Sequence, residues 1–489
     1  MLKAKLACGL AVALGVALLA GCGRESTPTP TPVGTGFIYT FVGDAPTCDV
    51  LSLQSRFAEF TMKKDNGDVA TIFSESTGTF TLIKVNFAAL RDFSTILHLT
   101  SVPEGTYGTA NFKLSLPQIT VFNPLLTPPV EPLTSEFLSA TPEVSIQPAL
   151  TVAKDKVNAV RVDFDLPRSV QVDGLGQVTG KISPVLKVTP VVADAEGFGE
   201  FDNLVGFVRT VTNFSSNSKF IGSFNMQMLA GTGLGITVNV TNDTQLSGAA
   251  SLNALETGRF AEVIGFVDVD GNLVATSVEF QDRAVVEEQK IAFLGFVVSV
   301  TKDAEGRVTQ FDFYVREEEP DVNFEVPLNS VVKVSVGDTT NFQVSARPVN
   351  FAGLPFDATS VAPGQELIVH GRYTIVSDGP ETVEASSVYL KLQTAQGNLS
   401  SLAKVESDGK SGAFWFAPCT SISQGAPILV FTNSDTIFLN VFGLSELSTQ
   451  QTLLARGLPF FVAQATTING VSVPAGTMVM TARQIHQVQ

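Results

Sequence analysis

The chain has 489 residues, a formal net charge of −16, and 44% hydrophobic against 16% charged residues. So acidic a chain repels phosphate backbones and anionic headgroups, which excludes nucleic acid as a partner and holds the body off a lipid surface. The length allows three to five domains of ~100–200 residues, and 36 Phe against 5 Tyr and 1 Trp imply aromatic surface that is buried rather than hydrogen-bonded.

The chain opens with Lys3 and Lys5, an apolar run over residues 6–19, then Leu19-Ala20-Gly21-Cys22. A charged start, a short apolar stretch and small residues make a secretion signal. The apolar run falls short of the ~20 residues a permanent spanning helix needs. With a cysteine directly after the small residues, the segment resembles a lipoprotein signal. That resemblance implies removal of residues 1–21, a thioether-linked diacylglycerol on Cys22, and acylation of the new amino terminus. Several acyl chains, at ~0.8 kcal/mol per buried CH₂, anchor a protein permanently. Residue 23 is Gly rather than Asp, which favours the outer membrane over inner-membrane retention. Loss of Lys3 and Lys5 would take the charge from −16 to −18. Cys8 would leave with the leader and Cys22 would carry lipid, so Cys48 and Cys419 are the two cysteines free to pair in an oxidising compartment, or to stay as small buried hydrophobes.

Residues 22–36 carry the lipidated cysteine and a Thr/Pro tether, read from ESTPTPTPVGTG at 25–36. Alternating Thr-Pro favours polyproline II, rising ~3.1 Å per residue.

A β-sandwich is expected over 37–190. Phe37, Tyr39 and Phe41 share one face of its opening strand, and further strands are expected at 57–62, 79–87, 107–116, 160–166 and 182–188. Asp65-Asn66-Gly67-Asp68 and Asp173-Gly174 supply turn chemistry. The spacing of Leu90, Phe93, Ile96 and Leu97 predicts a helix over 87–99. The Pro-rich stretch 123–148 reads as a long loop or insertion over the sandwich rather than a core element. The elements Gly43-Asp44-Ala45-Pro46 and Val102-Pro103-Glu104-Gly105-Thr106-Tyr107, with the later strand Val162-Asp163-Phe164-Asp165-Leu166-Pro167-Arg168-Ser169, resemble an N-terminal domain of bacterial lipoproteins known only as a domain of unknown function. The resemblance implies a β-sandwich and carries no catalytic residue.

Past residue 195 the chain repeats with a period of about a hundred residues. Gly206-Phe207-Val208, Asp243-Thr244, Gly258 through Gly265, and Ala275 through Phe280 return as Gly295-Phe296-Val297, Asp338-Thr339, Gly364 through Gly371, and Ala385 through Leu390. A weaker third copy has Asp435-Thr436, Gly457-Leu458-Pro459-Phe460-Phe461-Val462, and Ala482-Arg483-Gln484-Ile485. The order resembles a second uncharacterised family of small barrels found in tandem in exported proteins. Three barrel-like units are expected, over 200–285, 291–392 and 397–489. Asp243, Asp338 and Asp435 are read as turn closers ahead of a short helical stretch, and the Gly before each apolar strand as a positive-φ position. The whole is an all-β chain, a sandwich followed by three tandem barrels.

Chemistry is sparse. His98, His370 and His486 are widely spaced and show no metal-ligand pattern. No G-x-S-x-G elbow occurs; Gly443-Leu444-Ser445-Glu446 comes nearest, and Ser445 reads as a helix cap. Gly231-Thr232-Gly233-Leu234-Gly235 lacks the lysine of a phosphate loop and reads as a turn. Asp268-Val269-Asp270-Gly271-Asn272 carries a faint calcium pattern but fits a hairpin turn better. The run Glu317-Glu318-Glu319-Pro320-Asp321 reads as a solvated loop. Strand alternation turns Trp415 away from Phe414 and Phe416, toward the surface or a neighbouring unit. No catalytic residue, metal or cofactor is assigned. The expectation is a non-enzymatic exported lipoprotein with a structural, adhesive or ligand-binding role at the cell envelope, held to the membrane through Cys22, its partner an envelope protein or glycan. The alternative is a carboxylate-based hydrolase acting on envelope polysaccharide, which needs two carboxylates ~5–10 Å apart in one cleft.

Overall fold

A computed structural model describes residues 34–45, 50–74, 83–89, 95–193, 197–214, 219–228, 235–249, 251–252, 255, 257–281, 290–319, 328–344, 354–374, 381–419, 426–449 and 451–487. The chain is almost entirely β. Strands β1 (Thr35–Ala45), β2 (Val50–Lys64), β3 (Val69–Ser74), β4 (Ile83–Asn86), β5 (Thr95–Pro103), β6 (Gly105–Phe122), β7 (Val130–Leu133), β8 (Glu136–Phe137), β9 (Glu143–Val152) and β10 (Val157–Asp165) lead to the short helix α1 (Leu166–Ser169), then β11 (Val170–Val172), β12 (Val178–Ile182) and β13 (Leu186–Val191). Eight of them run β3-β2-β6-β9-β13-β10-β1-β5, with β4 on β2 and β7 on β6; β11-β12-β8 make a second, smaller sheet. The large sheet folds over, so that Phe57, Phe60 and Phe112 of β2 and β6 share a core with Val160, Val162 and Phe164 of β10. Phenylalanine fills this core because its rings interlock without a polar atom to satisfy: Phe60 stacks on Phe112 at 4.6 Å and Phe87 on Phe164 at 4.2 Å.

Two expectations fail here. Over 87–99, only Phe87–Ala89 is helical, as a single 3-10 turn, and β5 begins at Thr95; residues 90–94 lie outside the described residues. The stretch 123–148 holds β7, β8 and the start of β9, two of its bonds being the cis prolines Thr127-Pro128 and Gln147-Pro148. The Pro-x-Gly-x-Tyr element is a structural clasp. Gly105 has φ +146, and buried Tyr107 reaches back to donate its hydroxyl to the Pro103 carbonyl at 2.7 Å.

The first barrel closes as β14-β15-β16-β18-β17, from β14 (Gly199–Asn213), β15 (Gly222–Met228), β16 (Gly235–Ser247), β17 (Phe260–Val267) and β18 (Leu273–Gln281). The second uses β19 (Lys290–Lys302), β20 (Val308–Glu319), β21 (Val331–Ser335), β22 (Asn341–Val344), β23 (Glu366–Thr374) and β24 (Thr382–Leu390), and is closed by β21 on β24. The third uses β25 (Gln393–Val405), β26 (Gly412–Pro418), β27 (Ile428–Thr432), β28 (Ile437–Leu439), β29 (Thr452–Val462) and β32 (Thr477–Gln487), and is closed by β27 on β32; a small hairpin, β30 (Thr466–Ile468) and β31 (Val471–Val473), stands between β29 and β32. Closure removes the open edges that a small sheet would otherwise expose. Glu317, Glu318 and Glu319, expected in a loop, end strand β20 opposite β19.

One device closes all three barrels. Thr244, Thr340 and Thr436 accept the amides of Thr241, Gly337 and Asn433 at 2.9–3.0 Å, and donate to the carbonyls of Ala275, Ala385 and Ala482 at 2.7–2.9 Å. The turn is therefore held by threonine, and the aspartates Asp243, Asp338 and Asp435 that were expected to close it are exposed. Threonine succeeds because a hydroxyl both accepts and donates, while a carboxylate only accepts. Opposite the same three alanines, each barrel has a bulge and a glycine: Gly265, Gly371 and Gly457. A Cβ there would lie 2.0–2.3 Å from the facing backbone carbonyl. This realigns the third copy: Gly457 matches Gly265 and Gly371, whereas Gly258 and Gly364, both with φ +89, precede their strands. The expected helical stretch is, in the third barrel, a 3-10 turn at Leu444–Glu446 following Gly443, and Ser445 lies inside it without capping it.

Replacing Thr340, which is buried, by the isosteric Val removes both bonds and should cost ~1–3 kcal/mol in urea unfolding. Asp338→Ala, at a side chain 97% exposed, should move the midpoint by no more than about 0.5 kcal/mol.

Candidate functional site: a buried polar seam between the units

In β17, Ala261 and Val263 point into the first barrel's core, so Glu262 and Ile264 point out. The matching outward pairs are Ile368 and His370 in β23 and Leu454 and Arg456 in β29. All six are buried, so neighbouring units cover these faces. Residues 34–489 form one compact unit, in which each barrel touches the other two.

First and second meet at an ion pair. Lys391, which leads from β24 toward β25, donates to Glu262 at 2.5 Å with both side chains 4–7% exposed. Beside it His370 packs on the Tyr389 ring at 4.9 Å. Burial pushes the His370 imidazole down to about 4, against the pull of Glu262 and with the help of Lys391; the ring is neutral at pH 7. Burial also raises the Tyr389 phenol, with Ser387 lowering it and Glu279 raising it. Second and third meet where Leu458 and Phe460 enter the second barrel's core and Gln365 donates to the Pro459 carbonyl at 2.9 Å. Third and first meet at Arg483 and Glu200, 3.2 Å apart.

The sandwich is fixed to the first two barrels. Gln54 of β2 donates to the Arg316 carbonyl at 3.0 Å. Arg316 is paired with Glu366 at 2.5 Å, both side chains largely buried, and lies 5.1 Å over the Phe296 ring. The Glu366 amide donates to Gln393, whose own amide donates to the Gly364 carbonyl. On the other side Tyr39 donates its hydroxyl to the Gly271 carbonyl at 3.0 Å. Burial, helped by the charge of Asp268, pushes that phenol up to about 12. Gly271 has φ +81, and a Cβ there would lie 2.4 Å from Val157 of the sandwich.

The Asp268–Asn272 segment is a hairpin turn. Asp268 accepts the amides of Asp270 and Asn272 and is paired with Lys219 at 2.7 Å. Burial works to raise the Asp268 carboxyl, and hydrogen bonds from Lys219 and Asn272 outweigh it, holding it below the usual range. The same turn recurs at Asp173 with Gly176 and at Asp303 with Gly306, as expected of a hairpin device rather than a cation loop. No group of three His, Cys, Asp or Glu among the described residues could hold a metal ion.

Cys22 and Cys48 lie outside the described residues, as do Gly231 to Leu234. Cys419 is disulfide-bonded, and its amide donates to the Gln396 carbonyl. Trp415 is half-buried against Leu429, Phe431 and the β30–β31 hairpin, with Leu354 of the second barrel in the same cluster. The structure places His98 in β5, His370 in β23 and His486 in β32, where His486 meets Asn440. Glu262 and Glu279 stand directly opposite across β17 and β18, but Glu262 is committed to Lys391. The seam residues Glu262, Lys391, Arg316 and Glu366 went unread in the sequence. Their signal was a charge inside an apolar strand run, as in Ala261-Glu262-Val263-Ile264 and Leu390-Lys391-Leu392.

Chemically the seam is a fastener. One buried acid–base pair, Glu262 with Lys391, joins the first and second barrels; the other, Glu366 with Arg316, lies within the second barrel where the sandwich docks. Residues 210–279, most of the first barrel, match the model of a family described as "Domain of unknown function (DUF5666)". No curated protein matches the chain.

Lys391→Met leaves Glu262 buried and uncompensated and should cost ~3–5 kcal/mol, most of it recovered when Glu262→Gln is added. His370 is depressed when folded, so the unfolded chain takes up a proton first. Its contribution is complete above pH 6.5 and is lost as pH falls toward 4, about 3 kcal/mol in all. Urea midpoints of wild type and His370→Gln should diverge across that window.

Proposed function

We propose that the chain is an exported lipoprotein, held to a membrane through Cys22, whose folded body does structural, adhesive or ligand-binding work at the cell envelope rather than catalysis. The observation that carries this reading is the seam: Glu262 is paired with Lys391 across two barrels, and Arg316 with Glu366 where Gln54 of the sandwich docks on the second barrel, contacts that help hold a sandwich and three barrels in one block. A rigid block on a Thr/Pro tether of ~35 Å, at ~3.1 Å per residue, suits display of a surface. Gly23 in place of Asp favours the outer membrane, and an envelope protein or glycan is the partner in view. On this reading Cys419 is bonded to Cys48, since Cys8 leaves with the leader and Cys22 carries lipid.

Labelling with a radioactive fatty acid tests the anchor. Wild type should be labelled and sediment with membranes; Cys22→Ala should be unlabelled and soluble, and equal labelling of the two would refute the anchor. Non-reducing peptide mapping should recover a linked Cys48–Cys419 pair, and two free thiols at those positions would remove it.

A further inference from the structure

The third barrel carries an open edge. Strand β28 is paired on one side, with β32, and ends its sheet. Phe438 packs against the barrel core, while Ile437 and Leu439 on either side of it are exposed. Three residues on, Phe442 is 84% exposed, the most exposed aromatic among the described residues.

This exposure is enforced. Val441 and Leu444 are buried on each side of Phe442. The Phe442 amide donates to Glu446 at 3.1 Å, and the Leu444 amide donates to the Gly409 carbonyl at 2.8 Å, fixing the loop against the tip of the β25–β26 hairpin. A loop held in this way has lost its backbone freedom before any partner arrives, so docking onto it costs little further backbone entropy.

Folded proteins guard exposed edge strands with lysine, proline or a covering loop. Here the flanks of β28 are Asp435 and Asn440. Nearby rim groups are Glu446, Glu406 and Asp408, with Lys404 paired to Glu406 and Lys410 at the hairpin tip. The Asp408 carboxyl is held below its usual range by the Ser411 hydroxyl and by the amides of Ser411 and Lys410. The rim is net acidic, on a chain of net charge −16. That repels a second copy and an anionic bilayer alike, and attracts cationic side chains.

We propose that β28 and Phe442 form a docking site for an extended, basic segment of a partner protein, which adds as a strand to the β28 edge, sets apolar side chains on Ile437, Leu439 and Phe442, and places Lys or Arg against the acidic rim. The proposal narrows the partner of the preceding reading, and its test does not need the anchor. A fluorescent octapeptide of alternating Lys and Val is titrated into the full-length chain, both wild type and Cys22→Ala, so that a failed anchor leaves the result readable. Both should bind the peptide equally and saturably. Phe442→Ala and Leu439→Ser alter exposed side chains and no charge, so general attraction to an acidic protein is unchanged in them. Each should weaken binding at least tenfold. Asp435→Asn with Glu446→Gln, which keeps an oxygen for the Phe442 amide, should weaken binding several-fold and flatten its salt dependence. N-methylating alternate peptide amides should abolish it. Equal binding by wild type and Phe442→Ala overturns the proposal. So does equal binding of a Glu/Val octapeptide, or a loss in Phe442→Ala only of affinity for phosphatidylglycerol vesicles or of self-association.

Discussion

A β-strand has two faces, and in β17, β23 and β29 both are buried. One face fills the barrel of which the strand is a part; the other, bearing Glu262 and Ile264, Ile368 and His370, or Leu454 and Arg456, is closed off by other parts of the protein. A barrel of this size could stand alone if its outer face were polar. These could not, so each must lean on its neighbours, and the three complete a triangle of contacts with the sandwich set against two of its corners. The ion pairs follow from the same constraint. A lone Glu262 in such a place would carry a heavy desolvation cost, and Lys391 offsets it. Arg316 does the same for Glu366.

Strand content, hairpin turns and the repeated barrels could be read from the sequence, since they depend on local chemistry: alternation in β10, where Val160, Val162 and Phe164 go in while Arg161 and Asp163 go out, or an Asp ahead of a positive-φ Gly at 268–271. The misreadings arose where two local rules competed. Leu90, Phe93, Ile96 and Leu97 fit helical spacing, yet β5 pairs with β1 from Thr95 onward, and a long-range partner outweighs a few tenths of a kcal/mol of propensity. Proline in 123–148 argued for a loop, but β7 lies at an edge, where a missing amide costs little.

The seam and the third copy were harder for a different reason. A strand buried on both faces loses its alternation, so Leu453 to Val462, apolar but for Arg456 and Gly457, gives little clue to its register. Gly457 thus lines up by sequence with Gly258 and Gly364, and by pairing with Gly265 and Gly371. Likewise Asp243, Asp338 and Asp435 stand out in the sequence, yet the bonds that close the barrels belong to threonines beside them, whose acceptors lie 31 to 46 residues further on.

Pairing of the two buried acids also has an outward consequence. Glu262 and Glu366 are balanced by Lys391 and Arg316, so the net charge of −16 falls on the rest of the chain. The surface field then acts as a filter: it slows approach by like copies and by anionic membranes, and speeds approach by cations. Rigidity acts in the same direction. Because the units are already fastened to one another, a partner that reaches an exposed feature such as Phe442 does not have to order them. Selectivity of this kind requires no reactive centre, only a fixed shape and a charge of the right sign.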